Sequence, residues 1–213
     1  MTRKGDWFQT YTGKKFYPFD PRAEDVDIAD IARSLSLQCR FNGHTTQFYS
    51  VAQHSIHVAH VFGKLAKGTS FSSSNQAHLC ALLHDATEAY VGDLIRPIKI
   101  NMPQYQDMEE EVWHCILEAF DLLEIWEHFP IKPLVKKADN ILLMTERRDI
   151  LPEGPAGDKN KWFGDEMGIE PDPDLTVVPC SSYTAEHGFR NLFDSLKVFN
   201  TPQWVQEEKE NAR

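Results

Sequence analysis

Several ionisable side chains stand where this sequence otherwise calls for a buried, apolar helix face. The run Ala77-His78-Leu79-Cys80-Ala81-Leu82-Leu83 is apolar almost all round, and His84, Asp85 and Glu88 follow it directly. Wound at 3.6 residues per turn, these three share one wedge of about 100°. An adjacent His-Asp pair in apolar surroundings carries a large desolvation cost unless a partner neutralises it. A solvated face is the ordinary explanation for such a wedge, but the neighbouring residues are too apolar for it. A divalent cation is the economical partner, because imidazole nitrogen and carboxylate oxygen are both good donors to Zn, Mn, Fe or Co.

Two further residues fit the same chemistry. His54 falls inside the apolar stripe formed by Val51, Val58, Val61, Phe62 and Leu65, with His57 at its margin and His60 on the opposite side. A lone histidine on such a stripe is more often a satisfied core residue than a ligand, so His54 draws its weight from the His84-Asp85 pair. Asp139 shares a face with Val135, Leu142 and Glu146 and is flanked by Ala138. Alone, it reads equally well as a buried cap or as a partner of Arg40 or Lys137. Four such placements in one chain are hard to reconcile with independent accidents.

The elements that must position these residues are helices. Asp27 or Asp30 caps a first helix that runs to about Cys39. A second is expected over about 50–67, closed by Gly68, and a third over about 75–91, stopped by Gly92. A fourth spans about 103–123. Pro133 opens a fifth that reaches about Leu151, and a last covers about 185–199. Residues 1–25 are aromatic and turn-rich, with a short hairpin expected through Tyr11-Thr12-Gly13-Lys14. The stretch 152–180, rich in Pro and Gly, reads as an irregular excursion, and Gln206–Arg213 as a frayed tail. The expected fold is all-α: a single domain over 1–213, a bundle of five to seven helices whose core lies at about 27–150.

Composition sets outer limits. The formal charge of -10 argues against a sequence-independent grip on nucleic acid, which needs a net basic face, although a local basic pocket for a small phosphate stays open. Apolar runs are interrupted well short of the ~20 residues of a spanning helix, and the N-terminus lacks a secretory core, so the expectation is a cytoplasmic chain without a membrane partner. Cys39, Cys80, Cys115 and Cys180 are far apart with no CxxC pair, as suits reduced thiols used mainly for packing.

The order His, His-Asp, Asp resembles the HD-domain phosphohydrolase superfamily, and most nearly the bacterial 5'-deoxynucleotidases and their phage and prophage relatives. The likeness is carried by Arg40-Phe41-Asn42-Gly43-His44, Phe48-Tyr49-Ser50-Val51-Ala52-Gln53-His54-Ser55, His84-Asp85-Ala86-Thr87-Glu88 through Gly92-Asp93-Leu94-Ile95-Arg96-Pro97-Ile98-Lys99, and Lys137-Ala138-Asp139. It implies that His54, His84, Asp85 and Asp139 hold a divalent metal ion (Mn, Co, Zn, Fe or Mg) and that Glu88 orients or deprotonates the attacking water. It further implies that Asp93 contacts the sugar 3'-hydroxyl and that Arg40 binds phosphate, with Lys99 a weaker phosphate contact. The implied reaction releases phosphate from a small-molecule 5'-deoxynucleotide, a monophosphate before a triphosphate. Phage relatives include a dATP triphosphohydrolase, which keeps that alternative open. A signalling-nucleotide hydrolase fits less well, since Ala86-Thr87-Glu88 lacks the consecutive acids of alarmone hydrolases and no Gly-Tyr-Pro motif follows the pair. The remaining alternative is a nucleotide-binding scaffold without turnover. Relatives assemble as dimers or larger rings, so a homo-oligomer is expected. Two positions depart from the pattern. Phe41 stands where Trp usually packs near the sugar 2' position, leaving exclusion of a 2'-hydroxyl open. Gln53 replaces a common acidic neighbour, leaving open what orients His54.

Overall fold

The hairpin forms where the turn residues ask for it. In the computed structural model, which describes residues 3–154 and 161–198, strands β1 (Phe8–Gln9) and β2 (Lys15–Phe16) pair antiparallel, with Phe8 opposite Phe16. Phe16 is fully buried and stacks on Tyr90 with ring centroids 4.0 Å apart. Trp7, Phe8, Tyr11 and Phe19 remain exposed, so packing accounts for only part of the N-terminal aromatic content.

Asp27 and Asp30 divide the labour the sequence left open. Asp27 caps α1 (Ile28–Leu37) by accepting from the Ala29 N–H at 2.9 Å. Buried Asp30 instead accepts from the Thr12 N–H and Oγ1, at 2.6 and 2.9 Å, tying the hairpin turn to the helix. Ser50 caps α2 (Val51–Ala66) and Ser74 caps α3 (Asn75–Leu82), each accepting from a backbone N–H three residues on.

The expected helix over 75–91 is broken, and its own histidine takes part in the break. The His84 Nδ1–H donates to the Ala81 carbonyl at 2.9 Å. In an uninterrupted helix that carbonyl would serve the Asp85 N–H. Turns closed by three-residue bonds follow, Ala86 to Leu83 and Glu88 to Asp85, before the short α4 (Glu88–Val91) and α5 (Arg96–Lys99). His84, Asp85 and Glu88 are therefore gathered by a turn rather than by one helical wedge. The expected fourth helix also divides: α6 (Pro103–Ala119) ends before Asp121, whose φ is 59°, and α7 (Leu123–His128) begins anew.

The chain continues through α8 (Lys132–Ile150), the four-residue α9 (Phe163–Glu166) and α10 (Ser182–Val198). Of the ten α-helices in the described residues, seven run six residues or more, within the range the periodicity predicts. Phe199 and the 206–213 tail lie outside the described residues, as does part of the 152–180 excursion. The core gathers Leu35, Phe62, Leu79, Leu82, Ile116 and Phe189, all essentially inaccessible. Around it α2 packs on α8, α3 and α10, which sets His54 between the His84 turn and the Asp139 face. Among the described residues no helix is long and apolar enough to cross a membrane. Cys80 is buried as expected of a packing thiol, whereas Cys39 is exposed.

Candidate functional site

Four donor atoms converge where α2, the His84 turn and α8 meet. His54 Nε2 lies 3.2 Å from His84 Nε2, 3.3 Å from Asp85 Oδ2 and 3.4 Å from Asp139 Oδ1, and His84 Nε2 is 3.2 Å from Asp85 Oδ2. Ligands about 2.0–2.2 Å from one ion, at tetrahedral or octahedral angles, stand roughly 3.0–3.5 Å from each other. The spacing and the N/O donor chemistry therefore fit a divalent cation. His54, His84 and Asp85 form the tighter group, with donor atoms all within 4.8 Å of one another. Asp139 is held from outside as well: its Oδ2 accepts from Lys136 Nζ at 2.7 Å, in place of the Arg40 or Lys137 partner that the sequence allowed.

Both histidines are oriented for this purpose. The His84 bond to Ala81 fixes Nδ1 as the protonated atom, which leaves its Nε2 lone pair facing the cluster. Glu146 does the same for His54, with Oε1 2.6 Å from Nδ1 and both side chains fully buried. This is the orienting acid whose place Gln53 leaves empty. Gln53 points elsewhere: its Nε2 donates to the Val178 carbonyl at 2.7 Å and its Oε1 accepts from the Cys180 N–H at 2.9 Å. Glu146 was not singled out in the sequence, although it lies two turns beyond Asp139 on the same apolar face.

The site's electrostatics call for positive charge. Burial and the charge of Arg40 oppose protonation of His54, yet Glu146, Asp139 and Asp85 together raise its pKa well above the ordinary imidazole value. Burial likewise opposes ionisation of Asp85 and Asp139. The charges and hydrogen bonds of His84 and His54 nonetheless hold Asp85 well below the carboxylate range, and His54 with Lys136 does so for Asp139. Arg40, partly buried at the cleft, spans the acids at longer range, with Nη1 3.4 Å from Asp85 and Nη2 3.5 Å from Glu146. Its Nε has no hydrogen-bond partner among the described residues.

Glu88 differs from its neighbours. Burial, reinforced by the charges of Asp85 and Asp93, pushes its carboxyl well above the usual range, and Oε2 has no hydrogen-bond partner. Burial also raises Asp93, whose N–H donates to Gln38 Oε1 at 3.1 Å.

These groups border an open cleft of about 1160 Å³. Arg40, Phe41, Asp85, Glu88, Asp93 and Lys99 all line it, so the structure brings the sequence-predicted substrate residues to one space. Lys99 is engaged by Glu109 at 2.5 Å, and Glu109 also lines the cleft. Glu110 lines it too, so the acids at 109 and 110 of α6 border the cleft. Phe41 and Asn42 hold φ near 55° and 50° in the turn that carries Arg40, a left-handed backbone that side chains rarely adopt and that concentrates at functional sites. The 152–180 excursion contributes as well: Trp162, Phe163 and Gly164 form part of the wall.

Comparison with known proteins agrees with this geometry. Residues 33–146 match the family described as 5'-deoxynucleotidase YfbR-like. The chain is 40% identical over 190 residues to the uncharacterized protein YfdR of Escherichia coli, covering 89% of this chain and 95% of that protein. It is 32% identical over 175 residues to an uncharacterized protein of Rhodobacter capsulatus, covering 81% and 84% respectively. The chain belongs to the YfbR-like 5'-deoxynucleotidase family of HD-domain proteins.

Proposed function

We propose that this protein is a divalent-metal-dependent phosphohydrolase that releases phosphate from 5'-deoxynucleoside monophosphates. The observation that carries the proposal is the convergence of the His54, His84 and Asp85 donors at a cleft lined by His84, Asp85 and Glu88, where Glu88 Oε2 has no hydrogen-bond partner among the described residues. His54, His84, Asp85 and Asp139 would hold the ion, which when bound acidifies a water and offsets negative charge at the phosphoryl group. With the cation's charge offsetting the burial that raises its pKa, Glu88 would be ionised and take the proton that the water loses as its oxygen bonds to phosphorus. The bond between phosphorus and the 5'-oxygen breaks, giving phosphate and a deoxynucleoside. Arg40 supplies a planar fork to the phosphoryl oxygens, a geometry that Lys cannot reproduce. Asp93 accepts a hydrogen bond from the sugar 3'-hydroxyl, Phe41 packs near the sugar, and Lys99 adds charge at the rim.

The size of the cleft favours a second substrate class, the deoxynucleoside triphosphates. Besides Arg40 and Lys99, the lining includes Arg96 and Lys132, which have no carboxylate partner among the described residues and could meet further phosphates. A cytoplasmic homo-oligomer is the setting we infer, and sedimentation of the purified protein tests the assembly. The activity is tested by phosphate release from all nucleoside and deoxynucleoside mono- and triphosphates. Protein stripped with EDTA is resupplied separately with Mn, Co, Zn, Fe or Mg, and His84→Ala and Glu88→Ala serve as controls. Metal-dependent release lost in both variants is the expected result. Silence toward every nucleotide overturns the reading and leaves a binding scaffold.

A further inference from the structure

We infer that Trp162 and Phe41 form an aromatic clamp for the nucleobase, making Trp162 a specificity-determining residue supplied from outside the part of the chain that matches the family. The inference rests on the nucleotide reading above, and extends the Phe41 ring from the sugar it packs near to the attached base, the part of the substrate that reading leaves unassigned. Both rings line the cleft, with centroids 6.3 Å apart and planes inclined by 44°. They do not close on one another as Phe16 and Tyr90 do, at 4.0 Å and 16°. A base between two parallel rings separates them by about 7 Å, twice the ~3.4 Å of stacked bases. The two rings meet as a tilted pair, and a base would enter by turning them from 44° to parallel and parting them by about 0.7 Å.

The fold holds both jaws. Arg147 lies over the Trp162 ring at 4.8 Å, leaving the opposite face for a base. Arg147 also pairs with Asp165, and Asp165 accepts from the Trp162 N–H at 2.7 Å. Gly164 lets the segment approach α8 closely, since a Cβ there would collide with Met144 Sδ. Phe163, beside Trp162, carries Arg96 over its ring at 4.1 Å. On the other side, Phe41 is set by its left-handed backbone next to Arg40. The jaws thus flank the phosphate-binding end of the cleft, where a base attached through one sugar would reach. The family match ends at residue 146, so this wall lies outside the residues that the family model covers.

The test compares kcat/KM for deoxyadenosine 5'-monophosphate with that for 2-deoxyribose 5-phosphate, which carries no base, in wild type, Trp162→Ala and Trp162→Phe. The ratio should fall about 5- to 150-fold in Trp162→Ala, the effect of losing one base–aromatic stack. Trp162→Phe should recover most of it. An unchanged ratio in Trp162→Ala, or a Phe variant as poor as the Ala variant, overturns the clamp. If wild type hydrolyses neither compound, the monophosphate reading fails, and calorimetric binding of the same two ligands to manganese-loaded protein decides the clamp. A preference for the base-bearing ligand that Trp162→Ala loses supports it. A preference that survives, or none in wild type, overturns it.

Discussion

Removing the charge of Glu146 tests whether the centre is organised as the geometry implies. This carboxylate touches no part of the cleft, yet it holds His54 Nδ1 at 2.6 Å and faces Arg40 at 3.5 Å, with no exposure of its own. Burial opposes its ionisation, but Arg40 and His54 keep its pKa below the ordinary value, so it is charged at neutral pH. Glu146→Gln keeps the volume and an oxygen that can accept from His54. The bond then changes from charge-assisted, worth about 1.5–3 kcal/mol, to neutral, worth about 0.5–1.5 kcal/mol. The loss of roughly 1–1.5 kcal/mol is about a tenfold change in an equilibrium constant, at the lower end of the 10–100-fold that such supporting partners contribute to metal affinity. Glu146→Ala goes further. It leaves His54 without its acceptor and Arg40 with one acid fewer, and the folded state should lose about 3–5 kcal/mol, as when one partner of a buried pair is removed. The assay titrates manganese into EDTA-stripped protein against a competing chelator, with thermal unfolding in parallel. The expected order of metal affinity is wild type, then Gln, then Ala, with Gln near wild type in metal-free Tm. A Gln variant that binds metal as tightly as wild type would refute the assignment of Glu146 as the residue that orients His54.

Other perturbations separate binding from catalysis. The Glu88 pKa is raised in the folded state, so the folded protein holds a proton there that the unfolded chain releases, and stability falls as pH rises above the ordinary glutamate value of about 4.3. Metal-free Glu88→Gln should therefore melt above wild type at pH 8, with the gap closing toward pH 4, while the manganese-loaded variant loses phosphate release; a Gln variant that is less stable at pH 8 contradicts this. Manganese at a hundred times its Kd should stabilise wild type by about 2.7 kcal/mol, and His84→Ala should show little of that gain in the same melting experiment. Gly164→Ala should overpack the contact with Met144, costing about 1–3 kcal/mol and raising KM for deoxynucleotides. Met144→Ala in the same chain should restore KM, and failure to do so detaches Gly164 from the cleft wall.

What could be read from the sequence follows from what periodicity records. His54, Asp85 and Asp139 stood out because a charged or imidazole group on an apolar helical face conflicts with burial, and the conflict is visible without coordinates. The helix starts near 50 and 75 were legible from the apolar period, and the structure adds the Ser50 and Ser74 caps that fix them. The break after Leu82 was not, because it depends on a side-chain bond from His84 to Ala81, and a hydrophobic wheel continues unchanged through such a bond. Glu146 was visible but unread: an acid on the Val135, Asp139 and Leu142 face is as anomalous as Asp139, and only its pairing with His54, 92 residues away, assigns it a role. Trp162 gave no signal, since the excursion around it has no period, and its place depends on Arg147, Asp165 and Gly164 acting together. The catalytic core was therefore legible where burial and charge contradict each other locally. The wall around Trp162 was not, because it is made of aromatic residues that are unremarkable until the fold sets them in one cleft with Phe41.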